Sequence, residues 1–172
     1  VKTCRNRAPN PRPLYNIPGI LKAKTVVLVE GEKSADSLIK HGITATTAMF
    51  GANAPIDKTN WEPLKNKHVI IWPDHDEPGR QYADKVSLKL KNLGVASIQI
   101  LKIPEDKPLG YDAADSDAEG ADLENFIDLC PKKTISLNKM VPAFTLGQLL
   151  QDDSPMPVCV IAPRIVTPGG LL

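Results

Sequence analysis

The chain has 172 residues, 42% hydrophobic and 24% charged, which fits one globular domain, or one plus a tail, and argues against intrinsic disorder. No apolar run approaches the ~18 residues of a membrane helix, and no apolar stretch follows the basic N-terminus, so neither a membrane span nor a secretory signal is expected. The net charge of +1 conceals two opposed blocks: Lys2, Arg5, Arg7, Arg12, Lys22 and Lys24 without an acid among them, then nine acids from Glu105 to Asp128 against Lys107 alone.

Cys4, Cys130 and Cys159 are too far apart for a disulfide framework or a zinc spacing, so a reducing, cytoplasmic setting is expected. Aromatic residues are 5% of the chain, which argues against a base-stacking platform of the kind single-strand binders use. The start at Val1 and the stop on Gly169-Gly170-Leu171-Leu172 read as a piece cut from something longer.

In chain order, residues 1–24 are rich in proline and arginine without a hydrophobic period and read as a basic arm or linker. Thr25-Val26-Val27-Leu28-Val29 is a β-branched run typical of a strand buried on both faces. It ends at Glu30-Gly31. A helix follows with Ser34 as its expected N-cap and Gly42 as its stop. Residues 43–48 read as a second strand, then a loop, then a short helical turn at Trp61 and Leu64. His68-Val69-Ile70-Ile71-Trp72 is a third strand, ending at Pro73-Asp74-His75-Asp76.

Pro78 suits the first turn of a helix whose apolar stripe is Tyr82, Val86, Leu90 and Leu93, stopped by Gly94. Residues 97–103 make a fourth strand, and Leu123, Phe126, Ile127 and Cys130 mark another helix after an acidic loop. Alternating strands and helices predict an α/β, Rossmann-like domain over 25–130, a mostly parallel four-stranded sheet flanked by helices. Residues 131–172 read as a C-terminal linker, with a short amphipathic piece at 144–150.

Ligands of open parallel sheets collect outside the carboxyl ends of the strands. Here those ends deliver Glu30, then Asp74 and Asp76, then Asp112 and Asp115. Carboxylates gathered at one edge repel unless they bind protons or a cation, and Mg²⁺ is commonly held by one or two carboxylates with water and substrate phosphate. Such a set suits phosphoryl transfer. Simpler roles compete: Glu30 as an acid favoured by a helix dipole, Asp74 and Asp76 as helix caps, Asp112 and Asp115 as loop surface. Arg80 suits either a substrate phosphate or a pair with Glu77 or Asp84. Lys33 and Glu32 suit solvent or a supporting role, with Lys33 able to meet a phosphate. His75 alternates away from its neighbours and reads as structural.

Val29-Glu30-Gly31-Glu32-Lys33, followed by Asp74-His75-Asp76-Glu77-Pro78-Gly79-Arg80, resembles the topoisomerase–primase (Toprim) domain, and within it the version in plasmid- and phage-type DNA primases fused to helicases. Gly110-Tyr111-Asp112-Ala113-Ala114-Asp115 looks like the third acidic motif of the primase branch. The resemblance implies Glu30 as general base or metal-holding acid, Asp74 and Asp76 as Mg²⁺ ligands, Asp112 and Asp115 as acids completing the metal site, and Glu32, Lys33 and Arg80 on the substrate side. Mn²⁺ is the implied substitute metal. Many relatives carry an aspartate where this chain has Ser34, which leaves the number of metal ions open.

The function so implied is the catalytic core of a DNA primase, making RNA primers from ribonucleoside triphosphates on single-stranded DNA. The alternatives are a nuclease or topoisomerase fragment, or a scaffold that has kept only the fold. Residues 162–172 look like the lead-in to a RecA-like helicase domain in cis, absent here together with any phosphate-binding loop. No membrane partner is implied.

Overall fold

The computed structural model describes residues 9–51 and 55–137. Its centre is a five-stranded sheet in the order β2-β1-β3-β4-β5, built from β1 (Thr25–Leu28), β2 (Ala45–Thr46), β3 (His68–Ile71), β4 (Ser97–Leu101) and β5 (Lys132–Ile135). The first four strands are mutually parallel. β5 runs antiparallel to β4, with Ile98 opposite Ile135 and Leu101 opposite Lys132.

Both faces of the sheet are covered, as its β-branched strands require. Alternate residues point to opposite sides. Val26, Leu28, Val69, Ile71, Ile98 and Ile100 enter one apolar cluster, and α3 (Glu77–Leu93) closes it with Tyr82, Val86 and Leu90. Val27, Val29, Trp72 and Leu101 enter the other, where α2 (Glu32–Lys40) supplies Ala35 and Leu38. The same side receives Ala113 from α4 (Ala113–Ala118) and Leu123 and Ile127 from α5 (Leu123–Leu129).

The structure departs from the sequence expectations at four places. The sheet has five strands rather than four. The extra one, Lys-Lys-Thr-Ile, is half-exposed along an edge, where lysines commonly guard against further strand pairing and hide the alternating pattern. α4 forms within the expected acidic loop, held by its caps. Ser34 does not cap α2: Gly31 occupies that position, and Ser34 is buried one turn inside with its hydroxyl turned to another segment.

The fourth departure concerns the expected arm. Leu14 and Ile20 are buried in the core, and a six-residue α1 (Ile17–Lys22) packs there. Asn16, at φ 54°, starts this helix by accepting the Gly19 N–H and reaches the Ala45 carbonyl with its amide (3.2 Å). Arg5 and Arg7, the piece at 144–150 and the stretch at 162–172 lie outside the described residues. Among the described residues no helix is long and apolar enough to cross a membrane.

Because Ile20 is wholly buried while neighbouring Leu21 is 65% exposed, the two report whether this segment belongs to the folding unit. Ile20→Ala is expected to cost about 2–5 kcal/mol, and Leu21→Ala less than about 0.5 kcal/mol, by urea denaturation. Equal, small effects would show a segment uncoupled from the core.

Candidate active site

β1 has β2 on one side and β3 on the other, so the chain reverses its direction of travel across the sheet at the β1–β3 boundary. α2 leaves β1 on one face and α3 leaves β3 on the opposite face, opening a crevice at the carboxyl edge where ligands of such sheets bind. The register Leu28 to Ile71 brings Glu30 beside Asp74. Glu30 is only 8% exposed, and its Oε1 accepts the Asp74 N–H at 3.1 Å. Burial raises its pKa, the Asp74 N–H opposes the rise, and the negative charges of Asp76 and Asp112 add to it.

Asp74 is the most perturbed acid of the group. Burial, then the charges of Glu30, Asp112, Asp76 and Asp115, push its pKa up to about 7. Among the described residues no donor reaches its carboxylate. Asp76 begins α3 as N-cap, its Oδ1 accepting the Gly79 N–H at 2.7 Å. Gly79 sits where its lack of a side chain matters: a Cβ there would lie 2.5 Å from the Asp74 carbonyl oxygen, 2.7 Å from Glu30 Oε1 and 3.0 Å from Asp76 Oδ1. Three oxygens therefore crowd one glycine, and α3 starts as close to the acids as backbone allows.

Asp112 and Asp115 form a reciprocal capping box at the start of α4. Asp112 Oδ1 accepts the Asp115 N–H at 2.8 Å, and Asp115 Oδ2 accepts the Asp112 N–H at 3.3 Å. The second Asp112 oxygen accepts the Ser34 hydroxyl at 2.8 Å. His75 delivers this segment to the site. Its N–H donates to the Tyr111 carbonyl, its carbonyl accepts the Gly110 N–H, and its Nδ1 donates to the carbonyls of Lys107 and Pro108 at 3.0 and 3.1 Å. His75 is thus structural, as the sequence suggests. Its grip on residues 107–111 is a tertiary fact with no sequence signal.

Glu32 and Lys33 are exposed in the first turn of α2. Lys33 lines, with Glu30, Asp74 and Asp112, a cavity of about 540 Å³. Arg80 is exposed and pairs with Glu77 at 3.1 Å, yet it lines a second cavity of about 310 Å³ on the far side of Asp74, together with Lys102 and Lys133. Asp74 borders both spaces. Among the described residues no three His, Cys, Asp or Glu side chains are arranged to hold a metal by themselves. The donor set nonetheless fits a hard cation. It is all oxygen, carries several negative charges, and includes an undonated Asp74 carboxylate, while Mg²⁺ keeps several waters and needs only one or two carboxylates.

The open, mostly parallel α/β sheet gathers acids from beyond three of its strands at its carboxyl edge. Residues 25–105, a little under half of the chain, match the family model described as the Toprim domain. Toprim domains in general bind divalent cations such as Mg²⁺. The chain is 31% identical over 74 residues to DNA primase DnaG of Aeropyrum pernix, a match covering 43% of this chain and 18% of that relative. It is 35% identical over 74 residues to DNA primase DnaG of Thermofilum pendens, covering 43% and 17%. The matched segment thus spans less than a fifth of the length of these curated relatives. A solved assembly of bacteriophage T7 lagging-strand DNA polymerase interacting with primase domains includes a chain 21% identical to this one, with a TM-score of 0.43, covering 56% of this chain and 48% of that one.

The raised pKa of Asp74 has a stability consequence. Its folded value of about 7 exceeds the ordinary 3.8, so the native state holds the extra proton and this group favours folding at low pH. That contribution is lost as the pH rises from about 4 to about 7. In metal-free buffer Asp74→Asn is expected to be about 1–2 kcal/mol more stable than wild type at pH 8, solvent screening at this half-exposed site limiting the gain. The gap should close near pH 4, and millimolar Mg²⁺ should narrow it at pH 8 by stabilising only the wild type. Urea midpoints that stay parallel across pH would contradict the crowding of carboxylates around Asp74.

Proposed function

We propose that this Toprim domain is the catalytic core of a DNA primase, joining ribonucleotides on a single-stranded DNA template. The observation that carries the reading is Asp74, a half-buried carboxylate pushed up to about 7 by burial and by the charges of four other acids, and without a hydrogen-bond donor among the described residues. A site so charged favours the cation that accompanies a nucleoside triphosphate. The DnaG primase relatives support the choice of reaction.

Glu30 is the general base of this reading. Burial makes its carboxylate a better proton acceptor than an exposed one, and the Asp74 N–H fixes one oxygen. It takes the proton from a 3′-hydroxyl as that oxygen bonds to the α-phosphorus of the incoming nucleotide and pyrophosphate departs. Mg²⁺, or Mn²⁺ in its place, would be held by Asp74 with Asp76, Asp112 and Asp115 around it, and supplies charge neutralisation for the triphosphate. Lys33 and Arg80, on the rims of the two cavities beside Asp74, are assigned to phosphate, Arg80 after releasing Glu77. Glu32 is assigned a supporting position beside Lys33. A helicase domain in cis belongs to this reading as a partner.

A strand-cutting topoisomerase reading needs a reactive tyrosine from another domain, and the tyrosines of this one give no sign of that role. Tyr82 and Tyr111 are buried, and the Tyr15 hydroxyl is bound to Asp36 with its pKa raised by that carboxylate. None of the three is suited to attack a phosphodiester.

In a template-directed primer assay, Asp74→Asn is expected to lower product at least about 100-fold while circular dichroism and thermal unfolding report an intact fold. Wild-type yield from the variant would remove Asp74 from catalysis. Nicking of supercoiled DNA in place of primer synthesis would assign a nuclease, and no Mg²⁺-dependent product of either kind would leave a scaffold.

A further inference from the structure

The 540 Å³ cavity that holds Glu30, Asp74 and Asp112 is lined at another point by Phe50. Phe50 is 62% exposed and has φ +77°. Single exposed apolar residues are ordinary, but a bulky residue in the left-handed region is an outlier. Its turn is closed by the Gly51 N–H on the Ala48 carbonyl at 2.8 Å. Gly51, at φ +59°, is packed so tightly on the Glu30 backbone that a Cβ would meet the Glu30 carbonyl oxygen. The ring is therefore carried by a turn seated directly on the backbone of the proposed general base.

Arg12 completes the arrangement. Its Cζ lies 4.8 Å from the centroid of the Phe50 ring, a cation–π contact that orients both groups. The Arg12 backbone is fixed in turn, its N–H donating to Lys58 at 2.7 Å and its carbonyl accepting the Asn60 N–H at 2.8 Å. An exposed, oriented aromatic face beside a guanidinium, on the wall of a space that ends in acids suited to a metal-bound triphosphate, matches the parts of a nucleotide. The base is flat and apolar, and the phosphates are anionic. Stacking is indifferent to base identity because every base presents a π-face.

We propose that Phe50 and Arg12 form a nucleobase-binding pair at the rim of the acidic cavity. Phe50 stacks on the base of a bound nucleotide, while Arg12 braces the ring and offers positive charge to an adjoining phosphate. The nucleotide is either an incoming ribonucleoside triphosphate or a residue of a nucleic-acid strand. The inference rests on the primase reading for the direction of the phosphates, but base stacking itself needs no turnover. One ring at the rim is not the extended platform that the scarcity of aromatics argues against.

The test uses 2-aminopurine, whose fluorescence is quenched on stacking, in two arms: 2-aminopurine ribonucleoside triphosphate with Mg²⁺, and single-stranded DNA carrying one 2-aminopurine. Wild type is expected to quench the probe in at least one arm, which identifies the source of the base. Phe50→Ala should weaken binding in that arm about tenfold, or ~1.4 kcal/mol, with unchanged thermal unfolding, and Phe50→Trp should restore it. Arg12→Ala should weaken the same arm and flatten its salt dependence. No quenching by wild type at millimolar probe, or equal affinity and quenching from wild type and Phe50→Ala in both arms, overturns the proposal. Phe50-dependent quenching from a protein that makes no primers would defeat the primase reading alone. Primer synthesis with quenching and nucleotide KM unmoved by Phe50→Ala would defeat this inference alone.

Discussion

Negative charge gathered at one edge of a sheet is the constraint on which the remaining structure depends. Glu30 and Asp74 are forced together by parallel pairing of β1 with β3, and Asp112 and Asp115 act on the same place from beyond β4. Carboxylates in this arrangement repel, so the local geometry would relax outward if it were not anchored. Two apolar clusters, one on each face of the sheet, supply that anchor. They hold the strands in register while the acids at their ends sit in an environment that favours protons or a cation.

The acids do not share this duty equally, though their side chains are of one chemical type. Asp76 and Asp112 each commit an oxygen to the start of a helix, and Asp115 returns a bond to the Asp112 N–H. These caps satisfy backbone donors that a helix start leaves open. They also aim the carboxylates, because a capping side chain has little freedom to turn away. Among the described residues Glu30 is steadied by a single N–H, and Asp74 by none. The least satisfied oxygen donors therefore lie at the centre of the cluster and the most satisfied at its periphery, a distribution suited to exchanging a ligand without unfolding the helices around it. Ser34 extends the pattern: its hydroxyl gives Asp112 a neutral donor where an aspartate would add another repelling charge.

Asp74 also divides the space around it. One side opens to the cavity bounded by α2 and the turn at Phe50, the other to a smaller one bounded by α3 and β4 with Arg80, Lys102 and Lys133. The second space mixes signs, Arg80, Lys102 and Lys133 standing beside Asp84 and Glu105, whereas the first is dominated by acids, with Lys33 as its one lining cation among the described residues.

Much of this was determined by the sequence alone. Continuous β-branched runs announced β1 and β3, the spacing from Tyr82 to Leu93 announced α3 with its stop at Gly94, and the order of Glu30, Asp74, Asp76 and Asp112 after those strands announced a common edge. Such features are local, and each is written in adjacent residues. Tertiary structure decided the rest. β5 has too polar an edge to read as a strand without β4 beside it, and α1 needs the Asn16 bridge to Ala45 before its six residues hold. Ser34 looked like a helix cap because serine so often is, until Asp112, 78 positions away, claimed its hydroxyl. Composition likewise counts aromatic rings, whereas only the folded chain sets Phe50 against Arg12 and seats its turn on the Glu30 backbone.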